Sequence, residues 1–177
     1  MRKYLNINLS DQSIETEELN GLDSIRVGRH FIAKTLLEKG AATVDPLGPD
    51  NPLIFSAGPF AGSNFSNANR ISVGCKSPLT GGIKEANSGG TFAFALGQLE
   101  IAGFTLNGQS DDWVVIRIPQ EGDISFEDAN NMMAENPVLF KEKVQETIRR
   151  HARAINNHTA KGTYFFDYGN AFLLEAS

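Results

Sequence analysis

Arg70, Asn87, Ser88, Gly89 and Gly90 are the residues whose types and spacing best suit ligand chemistry. A guanidinium presents a planar fork of donors that can hold a phosphate through two hydrogen bonds. A carboxamide and a hydroxyl add neutral donors. Glycines let the backbone approach a ligand closely and free N–H groups to face an anion. Gly58-Pro59, Gly62 and Gly81-Gly82 lie in the same part of the chain. Together these residues could cradle a phosphate or a heterocycle. Their spacing fits neither a Walker loop nor a Rossmann fingerprint. The competing reading is turn chemistry in a β-rich domain, and the residues by themselves favour it.

Other reactive side chains are scattered. Cys75 is the single cysteine, on an expected strand with small neighbours, and reads as a buried, inert thiol. His30, His151 and His158 lie in different segments and show no metal-ligand spacing, so no metal ligand is assigned. Arg149-Arg150-His151-Ala152-Arg153 could bind a phosphate, but such a run is more often a solvated helix face. Glu85 is the one acid in the glycine-rich stretch; a general base is conceivable there, a surface carboxylate more ordinary. No residue is given a catalytic role.

The elements that must position these groups change in texture along the chain. Lys3 to Leu9 alternates, Ser10-Asp11-Gln12-Ser13 turns, and Ile14 to Leu19 returns, which predicts a β-hairpin. Asp23 or Ser24 is the expected cap of a helix through Ile25, Phe31, Ile32, Leu36 and Leu37, stopped by Gly40. Three prolines make Val44 to Pro52 a rigid loop. Leu53 to Ala57, Arg70 to Lys76 and Trp113 to Ile118 read as strands, and Phe92 to Ile101 as a helix ending at Gly103. Ser125 to Ala134 and Pro137 to Asn157 read as helical, the latter with Phe140, Val144, Ile148 and Ile155 near helical spacing. Ala171 to Leu174 is apolar and also reads as helical. The expected fold is therefore α+β: a mainly antiparallel sheet with one or two helices, followed by a helical C-terminal segment.

Composition bounds the function. The 177 residues carry 16 basic and 21 acidic side chains, a net of −5, so the overall field does not attract nucleic acid or an anionic membrane. No apolar run is long enough to span a bilayer, and Met1 to Asn6 lacks the apolar core of a signal peptide. A cytoplasmic protein is expected. One cysteine excludes an iron–sulfur cluster held by this chain alone.

Several runs then occur in a telling order: Val44-Asp45-Pro46-Leu47-Gly48-Pro49-Asp50-Asn51, Ala57-Gly58-Pro59, Arg70, Lys76-Ser77-Pro78-Leu79-Thr80-Gly81, Ala86-Asn87-Ser88-Gly89-Gly90 and Ala102-Gly103-Phe104. Residues 4–110 resemble, in these, the N-terminal domain of the aldehyde ferredoxin oxidoreductase family. The resemblance implies a β-rich base on which a tungsten or molybdenum bis-pterin cofactor lies. It implies pterin contacts at Arg70 and Asn87, with Ser88, Gly89 and Gly90 lending donors. That agrees with the cradle and reverses the balance against turn chemistry. Departures are plain: His30 stands where the family has a glycine, the region after Gly103 is short, and the family's cluster motif and catalytic helical domains have no counterpart.

The tail resembles a second family. Ser125-Phe126-Glu127-Asp128-Ala129-Asn130, Met133-Ala134-Glu135-Asn136-Pro137 and Phe166-Asp167-Tyr168-Gly169-Asn170 look like an internal segment of urocanate hydratase. That resemblance implies an NAD contact at Tyr168, without the rest of the NAD site; Ala171 replaces the usual second asparagine. The expected organisation is a truncated oxidoreductase-like domain over 1–118, a junction at 119–124 and a urocanate-hydratase-like segment over 125–177. Three functions follow: a pterin-binding module inactive by itself, an NAD-contacting fragment, or a non-enzymatic folded remnant. A separate cluster-bearing catalytic chain is the expected partner under the first. Self-association through the apolar end is expected under the third.

Overall fold

The computed structural model describes residues 1–112 and 114–128, and the backbone of 162–167 and 170–175. It contains two compact units, Met1–Gln109 and Ser110–Ser177. No helix among the described residues is long and apolar enough to cross a membrane.

The first unit is built on β1 (Arg2–Asn8), β2 (Ser13–Leu19), α1 (Arg29–Glu38), β3 (Leu53–Ala57), β4 (Arg70–Lys76), β5 (Ile83–Gly89), α2 (Thr91–Gln98) and β6 (Ile101–Asn107). Its six strands are ordered β2-β1-β6-β3-β4-β5. The predicted hairpin forms, with Arg2 opposite Leu19 and Asn8 opposite Ser13. All pairings are antiparallel except β1 with β6, which is parallel. A parallel pair needs a crossover, and the chain makes it by leaving the β5 edge through α2 and inserting β6 between β1 and β3. Local alternation of residues cannot announce such an insertion.

Two glycine gaps let the first unit close-pack, one of them beneath α1. A side chain at Gly74 would collide with Ile32 of α1. One at Gly103 would meet the Phe55 carbonyl oxygen and stand 3.0 Å from the Tyr4 ring. Tyr4, Ile32, Leu36 and Ile54 pack there as a buried cluster, and the Phe31 ring lies 4.1 Å from that of Tyr4. The Tyr4 hydroxyl is satisfied by Thr105 at 2.7 Å, and burial holds its proton well above the ordinary phenol range. Elsewhere in the core, Phe55 and Phe104 stack at 4.6 Å, and Phe92 of α2 meets Phe104 edge-on.

Three boundaries differ from expectation. The first helix starts at Arg29 rather than after Asp23 or Ser24. Ser24 donates to the Gly21 carbonyl instead of capping, and Gly28 (φ 67°) turns the chain into α1. The second helix stops at Gln98 because Glu100 takes a left-handed conformation (φ 57°) that reverses the chain. Gly103 therefore lies inside buried β6 and does not terminate a helix. Asn87, Ser88 and Gly89, read as following a turn, belong to a strand paired along all of β4.

The second unit holds β7 (Val114–Arg117), β8 (Ser125–Asp128), β9 (Gly162–Asp167) and β10 (Asn170–Glu175) in the order β8-β7-β10-β9. Residues 125–128 and 171–174 are thus strands, against the helical expectation. The buried run Val114-Val115-Ile116 of β7 requires backbone partners on both sides, and β8 and β10 supply them. The helix expected over 137–157 and the remainder of the one over 125–134 lie outside the described residues.

Candidate functional site

The predicted cradle residues come together across the β4–β5 ribbon. Register sets Arg70 opposite Gly89, Ile71 opposite Ser88, and Ser72 opposite Asn87. Alternation along a strand puts Arg70, Ser72, Asn87 and Gly89 on one face. There the Arg70 Nε donates to Asn87 Oδ1 at 2.7 Å, and Asn87 Nδ2 donates to Ser72 Oγ at 3.0 Å. Ser72 is 3% exposed, Asn87 half-buried and Arg70 exposed, so the ladder climbs from the core to solvent. Both terminal amino groups of Arg70 are without hydrogen bonds among the described residues.

The glycines contribute backbone geometry. Gly90 has φ 151° and ψ −175°, a region that side-chain-bearing residues scarcely enter, and open space where a Cβ would stand. Its N–H donates to the Asn69 carbonyl at 3.2 Å. It is also the N-cap of α2, whose first turn has no side-chain cap. A Cβ at Gly89 would stand 3.4 Å from an Arg70 amino group, in van der Waals contact with the guanidinium. Ser88 donates to the Gly89 carbonyl at 3.1 Å and faces away from Asn87 on the strand.

Asn69 braces the neighbouring loop. Its Oδ1 accepts from the Gly62 N–H at 2.8 Å and its Nδ2 donates to the Ser63 carbonyl. Gly62 and Gly97 of α2 approach so closely that a Cβ on either would strike the other segment's backbone. The loop before Arg70 is therefore held by its own amide and by α2.

Sequence reasoning missed Ser72 and Asn69. The signal for Ser72 was its place two residues after Arg70, on the same strand face. Its pairing with Asn87 depends on register, which a single sequence does not print. Glu85 is neither a free surface carboxylate nor placed as a base. Its Oε2 accepts from Arg29 Nε at 2.9 Å, and its Oε1 is buried with no hydrogen-bond partner among the described residues. Cys75 is a free thiol that burial pushes above its ordinary range, in keeping with an inert role. Tyr168, His151 and His158 lie outside the described residues.

A separate cleft of about 560 Å³ lies between the β1–β2 hairpin and α1. Asn6, Asn8, Glu15 and Glu17 face it from the hairpin, and Arg26, His30 and Lys34 from the helical side. None of its lining residues comes from β4 or β5. No group of three metal-ligating side chains occurs among the described residues.

Comparison with known proteins places these features in a family. The family model "Aldehyde ferredoxin oxidoreductase, N-terminal domain" matches residues 4–158. The tungsten-containing aldehyde ferredoxin oxidoreductase of Pyrococcus furiosus is 37% identical over 150 residues, covering 82% of this chain and 23% of that protein. The Pyrococcus horikoshii enzyme is 35% identical over 155 residues, covering 80% and 24%. Among solved structures, the active-site complex BamBC of benzoyl coenzyme A reductase with 1,5-dienoyl-CoA matches at TM-score 0.68 and 26% identity, over 81% of this chain and 23% of that one. The probable urocanate hydratase of Dictyostelium discoideum is 60% identical over 53 residues, 30% of this chain and 8% of that protein. The two resemblances read from the sequence are thus both present, and the first runs on past residues 119–124. The chain spans about a quarter of the length of its oxidoreductase relatives. With a family model matched from residue 4 to residue 158, this chain belongs to the aldehyde ferredoxin oxidoreductase N-terminal domain family.

Proposed function

We propose that the first unit is a pterin-cofactor-binding module of the tungsten aldehyde oxidoreductase type, inactive by itself. The observation that carries this reading is the Arg70 guanidinium, tied through Nε to Asn87 while its two terminal amino groups make no hydrogen bond to the described residues. A guanidinium held in that way is pre-set to receive a phosphate in two parallel hydrogen bonds. The first turn of α2, without a side-chain cap and entered through Gly90 in a glycine-only conformation, adds backbone donors and a partial positive charge. The donor set fits a pterin phosphate: it is cationic, accessible, and clear of side chains at Gly89 and Gly90.

Arg70 would hold the phosphate, Asn87 would orient Arg70, and Gly89 and Gly90 would line the approach, while Ser88, on the other strand face, would act only through its bond to the Gly89 carbonyl. When bound, a tungsten or molybdenum bis-pterin would supply the metal centre at which the family oxidises an aldehyde to a carboxylic acid. This chain contributes binding and orientation. These 177 residues hold one cysteine, too few for a cluster, so turnover needs cluster ligands and catalytic residues from outside them. We place the pterin-binding module within 1–118, the first part of a family match that itself continues to residue 158 and overlaps the 125–177 segment.

The test is tungsten and molybdenum content, with pterin fluorescence after oxidation, on chain purified without oxygen from a host that makes the cofactor. Near-stoichiometric metal with a pair of pterins is expected. Metal-free, pterin-free chain from such a host would sink the reading, and a non-enzymatic remnant would replace it. Aldehyde-dependent dye reduction by the chain without partner would contradict its inactivity.

A second reading rests on the 60% identity to a urocanate hydratase over 53 residues. Under it, Tyr168 contacts NAD. A saturable NAD signal lost in Tyr168→Phe would support it, and a flat titration would end it.

A further inference from the structure

We infer that Ser72 is a positioning residue for the anion site: its buried hydroxyl fixes the carboxamide of Asn87, and through it aims the Arg70 guanidinium. The inference rests on the cradle reading of Arg70 above. A carboxamide can present either end to a neighbour, and its two ends have opposite hydrogen-bonding character. Arg70 Nε can only donate, so Asn87 must turn Oδ1 toward it, as it does at 2.7 Å. Nδ2 is then directed back at β4 and needs an acceptor. Ser72 Oγ is that acceptor at 3.0 Å.

The position of Ser72 suits this task. It is the register partner of Asn87, so the two side chains leave the ribbon side by side. It is 3% exposed, so water cannot readily take its place. Its strand neighbours on that face are Arg70, which it serves, and Gly74, whose lack of a side chain admits Ile32 of α1. The ladder is thus anchored at a wall of packed core and free only at its guanidinium end. Without the hydroxyl, Nδ2 would lose its partner, the amide could rotate, and Arg70 would be held by backbone alone. A long exposed side chain then samples many rotamers, and its ordering must be supplied by the ligand.

The test uses the full chain and inorganic pyrophosphate as probe. Hydrogen exchange at the Arg70 Nε–H and the Asn87 side-chain amide is followed by NMR. Asn67, whose exposed amide reaches only Ser66 Oγ, serves as internal reference. In the native chain, both ladder groups should exchange at least about tenfold more slowly than Asn67. Ser72→Ala should abolish that protection, leave the β4–β5 backbone amides protected, and weaken pyrophosphate binding about three- to tenfold. Ser72→Thr, which retains the oxygen, should restore both. Unchanged protection in Ser72→Ala, or unchanged affinity once protection is lost, overturns the inference. If Ser72→Ala does not fold, native exchange at Asn87 as fast as at Asn67 overturns it alone. Absence of pyrophosphate binding by the native chain sinks the cradle reading itself, and this proposal with it.

Discussion

The two edges of the first unit's sheet are both antiparallel ribbons, yet they present opposite chemistry. At one edge, β2 carries Glu15, Glu17 and Glu18, exposed along nearly its whole length. Its ribbon borders a cleft whose far wall bears Arg26 and Lys34. At the other edge, β5 offsets its one carboxylate, Glu85, which Arg29 engages, with Lys84, then carries amide, hydroxyl and glycine, and a hydrogen-bonded ladder leads across the ribbon to Arg70. The acidic edge repels an anion and guards an exposed strand against unwanted pairing. The neutral edge leaves one guanidinium uncompensated. A shared sheet thus carries one net acidic edge and one net neutral edge without any change of architecture.

The backbone differs in the same way. Near the β4 end, Gly97 lets α2 touch the Ala61–Gly62 backbone. After the hairpin, Gly21 has open space around it and is needed only for its φ of 55°. Gly97→Ala should therefore cost about 3 kcal/mol in urea unfolding, since backbone must move. Gly21→Ala should cost about 1 kcal/mol, since only conformation is strained. Equal costs would remove the distinction between a packed end and an open one.

Ligand binding sharpens the contrast next. Arg70→Gln should weaken pyrophosphate binding by at least about tenfold, the loss of a charge-assisted pair of hydrogen bonds. Glu15→Gln with Glu17→Gln should change it by less than about twofold, because solvent and salt screen that edge. A larger effect at the acidic edge would relocate the anion site to the cleft. In the core between the edges, Tyr4→Phe should cost about 1 kcal/mol by leaving the buried Thr105 hydroxyl without its partner. An unchanged midpoint of thermal unfolding would show that the bond is not holding β1 to β6.

The smallest effect concerns β4 itself. Burial raises the Cys75 thiol, so the folded chain keeps a proton that the unfolded chain releases. The stabilising contribution is full below the ordinary thiol range and is lost as pH rises through the folded value. Between about pH 7 and about pH 10, stability should fall more in the native chain than in Cys75→Ser. Superimposable pH profiles would contradict a buried thiol.

The hairpin was legible because Lys3 to Leu19 writes its register locally: alternation, a polar turn, alternation. The cradle was legible only in residue types. Asn87-Ser88-Gly89 has the composition of a turn, and its strand exists because β4 offers seven residues of unpaired backbone beside it. The same force turned Ser125–Asp128 into a strand beside β7 despite a helical reading. Gly103 looked like a helix stop; it is a gap first for the β3 backbone at Phe55 and Ser56 and then for the Tyr4 ring, both far away in sequence.

By itself, then, the sequence determined the family, the presence of a second family's segment, the edge hairpin and the identities of the site's polar groups, because each is carried by local residue type and order. The tertiary structure alone decided that β6 enters parallel to β1, that Ser72 stands opposite Asn87, and that Arg70 keeps two amino groups free of hydrogen bonds to the described residues. Those are matters of strand register and of contact between distant segments, settled by burial and by the need to pair every enclosed backbone group.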